Sequence, residues 1–146
     1  MLLRVQQSQD TIGYADRRVA ATVDYTRPLL FGANVPAHVR AGLQQLVADS
    51  AAGQVGAVDE ERAKAARLSV LAWHRGLRRA KTALLVYLEA RVRYLRGVAA
   101  NTHTLYVAHP ELDELLDATR AAFVDATGAG ERDRVDAAFS GGAHPS

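Results

Sequence analysis

The side chains capable of metal or acid–base chemistry are thinly spread in this sequence. The five histidines stand far apart, at positions 38, 74, 103, 109 and 144. No HxxxH or ExxH pair occurs, so no two metal ligands are predicted on one helix face. The absence of cysteine excludes disulfides, thiolate metal sites and a cysteine nucleophile. No serine stands in the glycine-flanked turn of a nucleophile elbow. The sequence therefore predicts no catalytic residue, no metal site, no cofactor and no enzyme.

Carboxylates cluster at two places, DEE at residues 59–61 and ELDEL at 111–115. Each cluster coincides with the start of a predicted helix, where acidic side chains stabilise the positive end of the helix dipole. Helix capping therefore explains them better than acid–base catalysis does. The glycines of FGANVP and GAGERD are not followed by Lys-Ser/Thr and do not follow a strand, which argues against phosphate-binding loops.

The elements that would position these residues are helical. Helix-forming residues dominate and no convincing period-2 strand occurs, which predicts an all-α bundle of four to five helices. The predicted helices cover about 10–27, 36–52, 59–96 and 109–127. Pro28 is expected to end the first helix, and the glycine-containing segment 51–59 is interpreted as a flexible loop. Residues 1–128 form the predicted bundle domain. Residues 129–146 form a glycine-rich, flexible tail in which Val135 and Phe139 could dock as a last short turn.

The most distinctive segment is LRRAKTALLVYLEARVRYLRG, residues 77–97, within the predicted long helix 59–96. At 100° per residue its apolar side chains, together with Trp73, fall on one face that is too wide for a coiled-coil seam. The residues predicted to pack against a partner are Leu77, Leu84, Tyr87, Leu88, Tyr94 and Leu95. The opposite, basic face carries Arg75, Arg78, Arg79, Arg93 and Arg96. Arg91 falls within the apolar face, so it should form an ion pair with a carboxylate or contact carbonyls.

Charge is segregated along the chain. Residues 60–97 contain ten Lys/Arg and three Glu, whereas residues 111–136 contain three Arg and eight acids. The acidic fourth helix could fold back beside the basic helix and neutralise it. Alternatively, the basic face could bind nucleic acid or an acidic protein. Against nucleic acid, the aromatic residues are predicted on the apolar face instead of between the arginines.

The order of these features resembles the helical domain of GINS proteins, a four-subunit replication factor that joins the replicative helicase, and subunit one most closely. The resemblance spans roughly residues 12–127 and includes VPAHVRAGLQQLV and HPELDELL. The matching residues are Tyr14-Ala15-Asp16, Arg40, Arg79, Lys81, Val86-Tyr87, Arg91 and Arg96. The resemblance implies a non-catalytic scaffold subunit that packs against sister subunits and possibly a helicase, with a possible weak DNA contact through the outer arginines.

The alternative hypothesis is a free-standing helical protein that binds nucleic acid through the basic face. The sequence shows neither the apolar core of a signal peptide nor an apolar run of the length of a membrane span. We therefore expect an intracellular, soluble protein, nuclear if eukaryotic and otherwise cytoplasmic, with no membrane or small-molecule partner.

Overall fold

A computed structural model describes residues 1–30 and 34–140, and over these residues the chain is a helical bundle without a strand. This confirms the predicted all-α class. The five helices are α1 (Leu2–Leu30), α2 (Ala37–Ala66), α3 (Arg75–Ala100), α4 (Pro110–Thr127) and α5 (Arg132–Phe139). Two short 3₁₀ helices, Thr102–Tyr106 and Ala129–Glu131, precede α4 and α5. Within the described residues, no helix combines the length and apolar character that crossing a membrane requires.

Each of the first four helices runs antiparallel to its neighbour in sequence. Ser8 near the start of α1 reaches Glu61 near the end of α2, whereas the later Arg18 meets the earlier Ser50. Helix α3 packs between α2 and α4, and α5 packs against both α4 and α1. The short last helix therefore closes the bundle.

The core lies around α3 and receives side chains from all five helices. Leu84, Leu88 and Leu95 of α3 are fully or almost fully buried, as are Phe123 of α4 and Val135 of α5. Apolar burial of this kind is the main favourable term in folding. The bundle consequently depends on α3 for most of its internal packing.

The predicted long helix 59–96 is wrong, because the chain breaks at residues 67–74. Helix α2 ends at Ala66, and α3 begins at Arg75, after eight intervening residues, and runs back along α2. The break lets the apolar side chains on both sides of it face one another. A continuous helix of that length would leave these faces to an outside partner, so intramolecular burial favours the broken form.

The predicted flexible loop at residues 51–59 is helical instead and forms the middle of α2. Ala51 and Val58 are completely buried in the core, and this packing offsets the low helix propensity of Gly53 and Gly56. The acids at 59–61 therefore lie inside a helix and do not cap its start.

Helix α1 begins eight residues earlier than predicted, because tertiary contacts hold its first turns. Gln9 is buried, and its amide donates a hydrogen bond to the Phe139 carbonyl at 3.1 Å. At the other end α1 continues past Pro28, which lies in the last turn. There a proline removes a single backbone hydrogen bond. The turn predicted at LLFGANVP falls partly on residues 31–33, outside the described residues.

The fourth helix matches its prediction closely, with Pro110 as its first residue and acids in its first turn. The predicted tail does not begin at residue 129, because residues 132–139 form α5 and its Val135 and Phe139 are buried. Phe139 packs edge-on against Phe123, with ring centroids 5.6 Å apart. Residues 141–146 of the predicted tail lie outside the described residues.

Candidate nucleic-acid interface

The apolar face of α3 is covered by the chain's own helices. Leu84, Tyr87, Leu88 and Leu95 are each at most 4% exposed, and they belong to the single core cluster. Their assignment as a partner surface is therefore corrected to intramolecular packing. The other two residues of that set, Leu77 and Tyr94, are half-buried. The antiparallel return of α2 and α4 along α3 covers this face, which helical periodicity could not show.

Arg91 has the carboxylate partner that its position in the apolar face required. Its guanidinium forms an ion pair with Asp16 of α1, which links α1 directly to α3. The guanidinium also lies 5.4 Å from the centroid of the Tyr94 ring, a cation–π distance. Tyr94 in turn meets His109 edge-on. Arg91 is thus held by Asp16 of α1 and by Tyr94 of its own helix.

The connection between α2 and α3 is fixed by polar contacts to the first turns of α3. The Lys81 ammonium donates a hydrogen bond to the Leu68 carbonyl at 2.8 Å. The His74 ring Nδ1 accepts a hydrogen bond from the Leu77 backbone N–H at 3.1 Å, which caps the helix start. A Cβ on Gly76 would lie 3.2 Å from the Cα of Ala126, so α3 also starts in close contact with α4. These contacts therefore fix the backbone of the α2–α3 connection against the start of α3.

Two large apolar side chains project from this connection into solvent. Trp73 is 78% exposed and Leu71 is 56% exposed. Trp73 was predicted on the buried apolar face, but the helix break removes it from any helix. An indole this open is unusual, because tryptophan is highly buried on average. The sequence carried no local sign of this exposure, since only the position of the break decides it.

Three arginines follow this tryptophan within six residues of the chain, in the first turns of α3. Arg75, Arg78 and Arg79 are exposed and, with Thr82 and Ala83, line a shallow open depression. Within the part of the chain that the structure describes, none of the three forms an ion pair. We call Leu71, Trp73, Arg75, Arg78 and Arg79 the junction surface.

The positive charge continues along the outer side of α3. Arg93 and Arg96 are exposed, as predicted for the basic face, and lie on the side of α3 that Arg75 and Arg79 occupy. From Arg75 to Arg96 this row is about 30 Å long at 1.5 Å per residue. Arg96 lies near Asp59, whose pKa is lowered chiefly by a hydrogen bond from Arg62 and to a smaller extent by the Arg96 charge. The uncompensated charge is therefore concentrated at the start of α3.

The acidic helix α4 packs beside α3, but among the described residues no ion pair joins its acids to the α3 arginines. Arg120 pairs with Asp117 of α4 instead, and Arg134 of α5 pairs with Glu131 of the preceding 3₁₀ helix. Residues 63–88 also contain six Lys/Arg and no Asp or Glu. The junction surface thus has no acidic neighbour in sequence and no ion pair with α4.

A buried polar cluster between α1 and α2 was missed by the sequence analysis. Glu61 is only 7% exposed, and its carboxylate pairs with Arg4 at 2.9 Å. It also accepts hydrogen bonds from the hydroxyls of Ser8 and Thr11, each at 3.3 Å. No periodic signal distinguishes Glu61 from Glu60, because only the packing of α1 makes it internal. The cluster joins α1 to α2 through one ion pair and two hydrogen bonds.

No protein-family model, curated protein or solved structure matches this chain. The comparisons therefore neither support nor contradict the GINS resemblance. Its long-helix residues, from Arg79 to Arg96, all lie in α3. The geometry of the junction surface has to carry the functional argument.

Proposed function

We propose that this protein is a non-catalytic binding protein for single-stranded nucleic acid, and that the junction surface is its binding site. The observation that carries the proposal is the exposed Trp73 ring just before α3, followed in its first turns by three exposed arginines that have no acidic partner within the described residues. Proteins that bind single strands combine these same two features, a positively charged track for phosphates and an aromatic ring for bases.

The arginines supply the phosphate-binding part of this argument. A guanidinium is planar and can bind a phosphate through two parallel hydrogen bonds. Arg75 and Arg79 are one helical turn apart and therefore about 6 Å apart along the axis. Arg93 and Arg96 continue the row towards the far end of α3. An extended phosphate backbone can follow such a row, whereas a compact anion would engage only one end.

The tryptophan favours a single strand over a duplex. Base–aromatic stacking contributes about 1–3 kcal/mol per base, and it needs a base face that is not already stacked in a duplex. Leu71 beside the indole adds apolar surface that a base could also cover. Unpaired bases of DNA or RNA therefore fit the junction surface better than the edges of base pairs do.

The scaffold function implied by the GINS resemblance is a weaker proposal. It required an unsatisfied apolar face on α3, and most of that face is buried within this chain. A partner could still bind elsewhere on the bundle, but four of the six residues assigned to that contact are buried in this fold.

The test uses the single tryptophan of the chain as its own reporter. We expect a poly-dT oligonucleotide to quench Trp73 fluorescence and to protect the indole from acrylamide, because stacking covers the ring. The logarithm of the binding constant should fall with the logarithm of salt with a slope of about −2 to −3, as three to four phosphate contacts require. Trp73→Ala, followed by fluorescence anisotropy of a labelled oligonucleotide, should weaken binding about tenfold.

Two triple variants with the same net charge distinguish binding at the junction surface from non-specific electrostatic attraction between the oligonucleotide and the protein. Replacing Arg75, Arg78 and Arg79 together by alanine should weaken binding about 100-fold and reduce the salt slope by about 2. The control replaces three exposed arginines of the acidic end, Arg120, Arg132 and Arg134, and lowers the net charge equally. Equal losses in both triple variants would refute the proposed site. Binding to anionic lipid vesicles without binding to oligonucleotides would refute the ligand class.

A further inference from the structure

The outer side of α1 carries a row of exposed large side chains that the proposed nucleic-acid site does not use. Leu3, Tyr14 and Tyr25 are 66%, 54% and 69% exposed. They recur every 11 residues. Because 11 residues make almost three full turns of a helix, the three side chains lie on nearly the same side of α1. The exposed residues Gln7, Asp10, Arg18 and Ala21 fall between them on the same side. We call these seven residues the α1 outer stripe.

The stripe lies opposite the buried side of α1. The core-facing residues Val5, Ile12, Ala15 and Val19 are at most 5% exposed, and they fall on the other side of the helical wheel. Helices α2 and α5 pack against that buried side. The outer stripe is therefore the side of α1 that faces away from α2 and α5, and its seven residues are all exposed.

The order of residues in the stripe is self-complementary. When two copies of α1 lie antiparallel and cross at Tyr14, position i of one copy meets position 28 − i of the other. Tyr14 then meets its own counterpart, and Leu3 meets Tyr25. Asp10 meets Arg18, so both ends of the contact gain an opposite-charge pair. In a parallel arrangement each residue would meet its own copy, and Asp10 and Arg18 would each face a like charge.

We propose that the α1 outer stripe is the interface of an antiparallel two-fold homodimer of this chain. A two-fold contact requires one surface that matches itself, and the charge order around Tyr14 meets that condition. Aromatic and arginine side chains at its centre are typical of protein interfaces. The dimer would present two junction surfaces, which raises the apparent affinity for a long strand through effective concentration. The interface itself does not depend on the proposed nucleic-acid function.

Engineered cysteines test the arrangement directly, because the chain has none of its own. Tyr14→Cys should form a covalent dimer under mild oxidation, since the two sulfurs meet at the two-fold axis. Tyr25→Cys should not, because residue 25 and its copy would be about 33 Å apart along the axis. Combining Leu3→Cys with Tyr25→Cys should restore the cross-link. Monomeric Tyr14→Cys protein, or equal cross-linking of Tyr14→Cys and Tyr25→Cys, would overturn the proposal.

A charge exchange gives an independent readout by analytical ultracentrifugation without nucleic acid. Asp10→Arg and Arg18→Asp should each raise the dimer dissociation constant at least about tenfold, because each creates two like-charge contacts. The double variant should return to near the wild-type value. Tyr106→Glu, at a tyrosine that is 60% exposed outside the stripe, is the control and should leave the dimer unchanged. Circular dichroism confirms that each variant is folded. A monomeric wild-type chain, or a double variant weaker than both singles, would refute the interface.

Discussion

Glu61 offers the sharpest test of how α1 packs on α2. Replacing it by glutamine keeps the size of the side chain but removes the charge that faces Arg4, whose own side chain is only 16% exposed. The new amide NH₂ must also lie near the guanidinium or a hydroxyl. Breaking a fully buried ion pair costs about 3–5 kcal/mol. Because Arg4 is partly exposed and water can solvate part of its charge, we expect Glu61→Gln to lower the free energy of unfolding by about 2 kcal/mol.

The neighbouring Glu60 is a matched control for this substitution. Its side chain is 65% exposed and forms one ion pair among the described residues, with Lys64 at 3.5 Å. Glu60→Gln should therefore cost less than about 0.5 kcal/mol. Urea unfolding followed by circular dichroism gives both free energies, and Glu61→Gln should lower the melting temperature by about 5 °C. If Glu61→Gln and Glu60→Gln lower the free energy of unfolding by amounts within about 0.5 kcal/mol of each other, Glu61 is not buried and α1 packs on α2 in a different register.

Two further predictions concern α2 and the start of α4. Gly53→Ala combined with Gly56→Ala should raise the free energy of unfolding by about 1–2 kcal/mol, because a Cβ at either position meets nothing within 4 Å and alanine favours the helix. Urea unfolding checks this, and no gain would argue for a loop there. The pKa of His109 is raised, first by its hydrogen bond to the Thr104 carbonyl and then by Glu111. The stability that protonated His109 contributes is therefore fully present below its pKa in the unfolded chain, near 6.5. It is lost as the pH rises through the higher pKa of the folded protein. The free energy of unfolding of the wild type should exceed that of His109→Gln by more at pH 5.5 than at pH 8.5. A difference between the two proteins that grows with pH would contradict this.

Some features of this protein could be predicted from local sequence because their causes are local. The first turn of α4 has a proline and acids that favour a helix start wherever the segment is placed, and its predicted bounds were accurate to about one residue. The amphipathic pattern of residues 77–97 correctly separated the exposed arginines from the buried leucines. It could not say whether a sister protein or the chain itself would cover the leucines, because periodicity reports that a face needs burial and not what buries it.

The amino-acid sequence alone determined the helical class, the two faces of α3 and the acidic start of α4, since each follows from residues within a few turns of one another. Only the tertiary structure decided where the long amphipathic run breaks, because no proline or glycine marks residues 67–74 and the gain comes from packing α2 against α3. That same break leaves Trp73 outside any helix and 78% exposed, just before the arginines of α3. The junction surface is therefore a product of chain reversal, in which burial of apolar faces elsewhere leaves one aromatic ring and three cations in solvent.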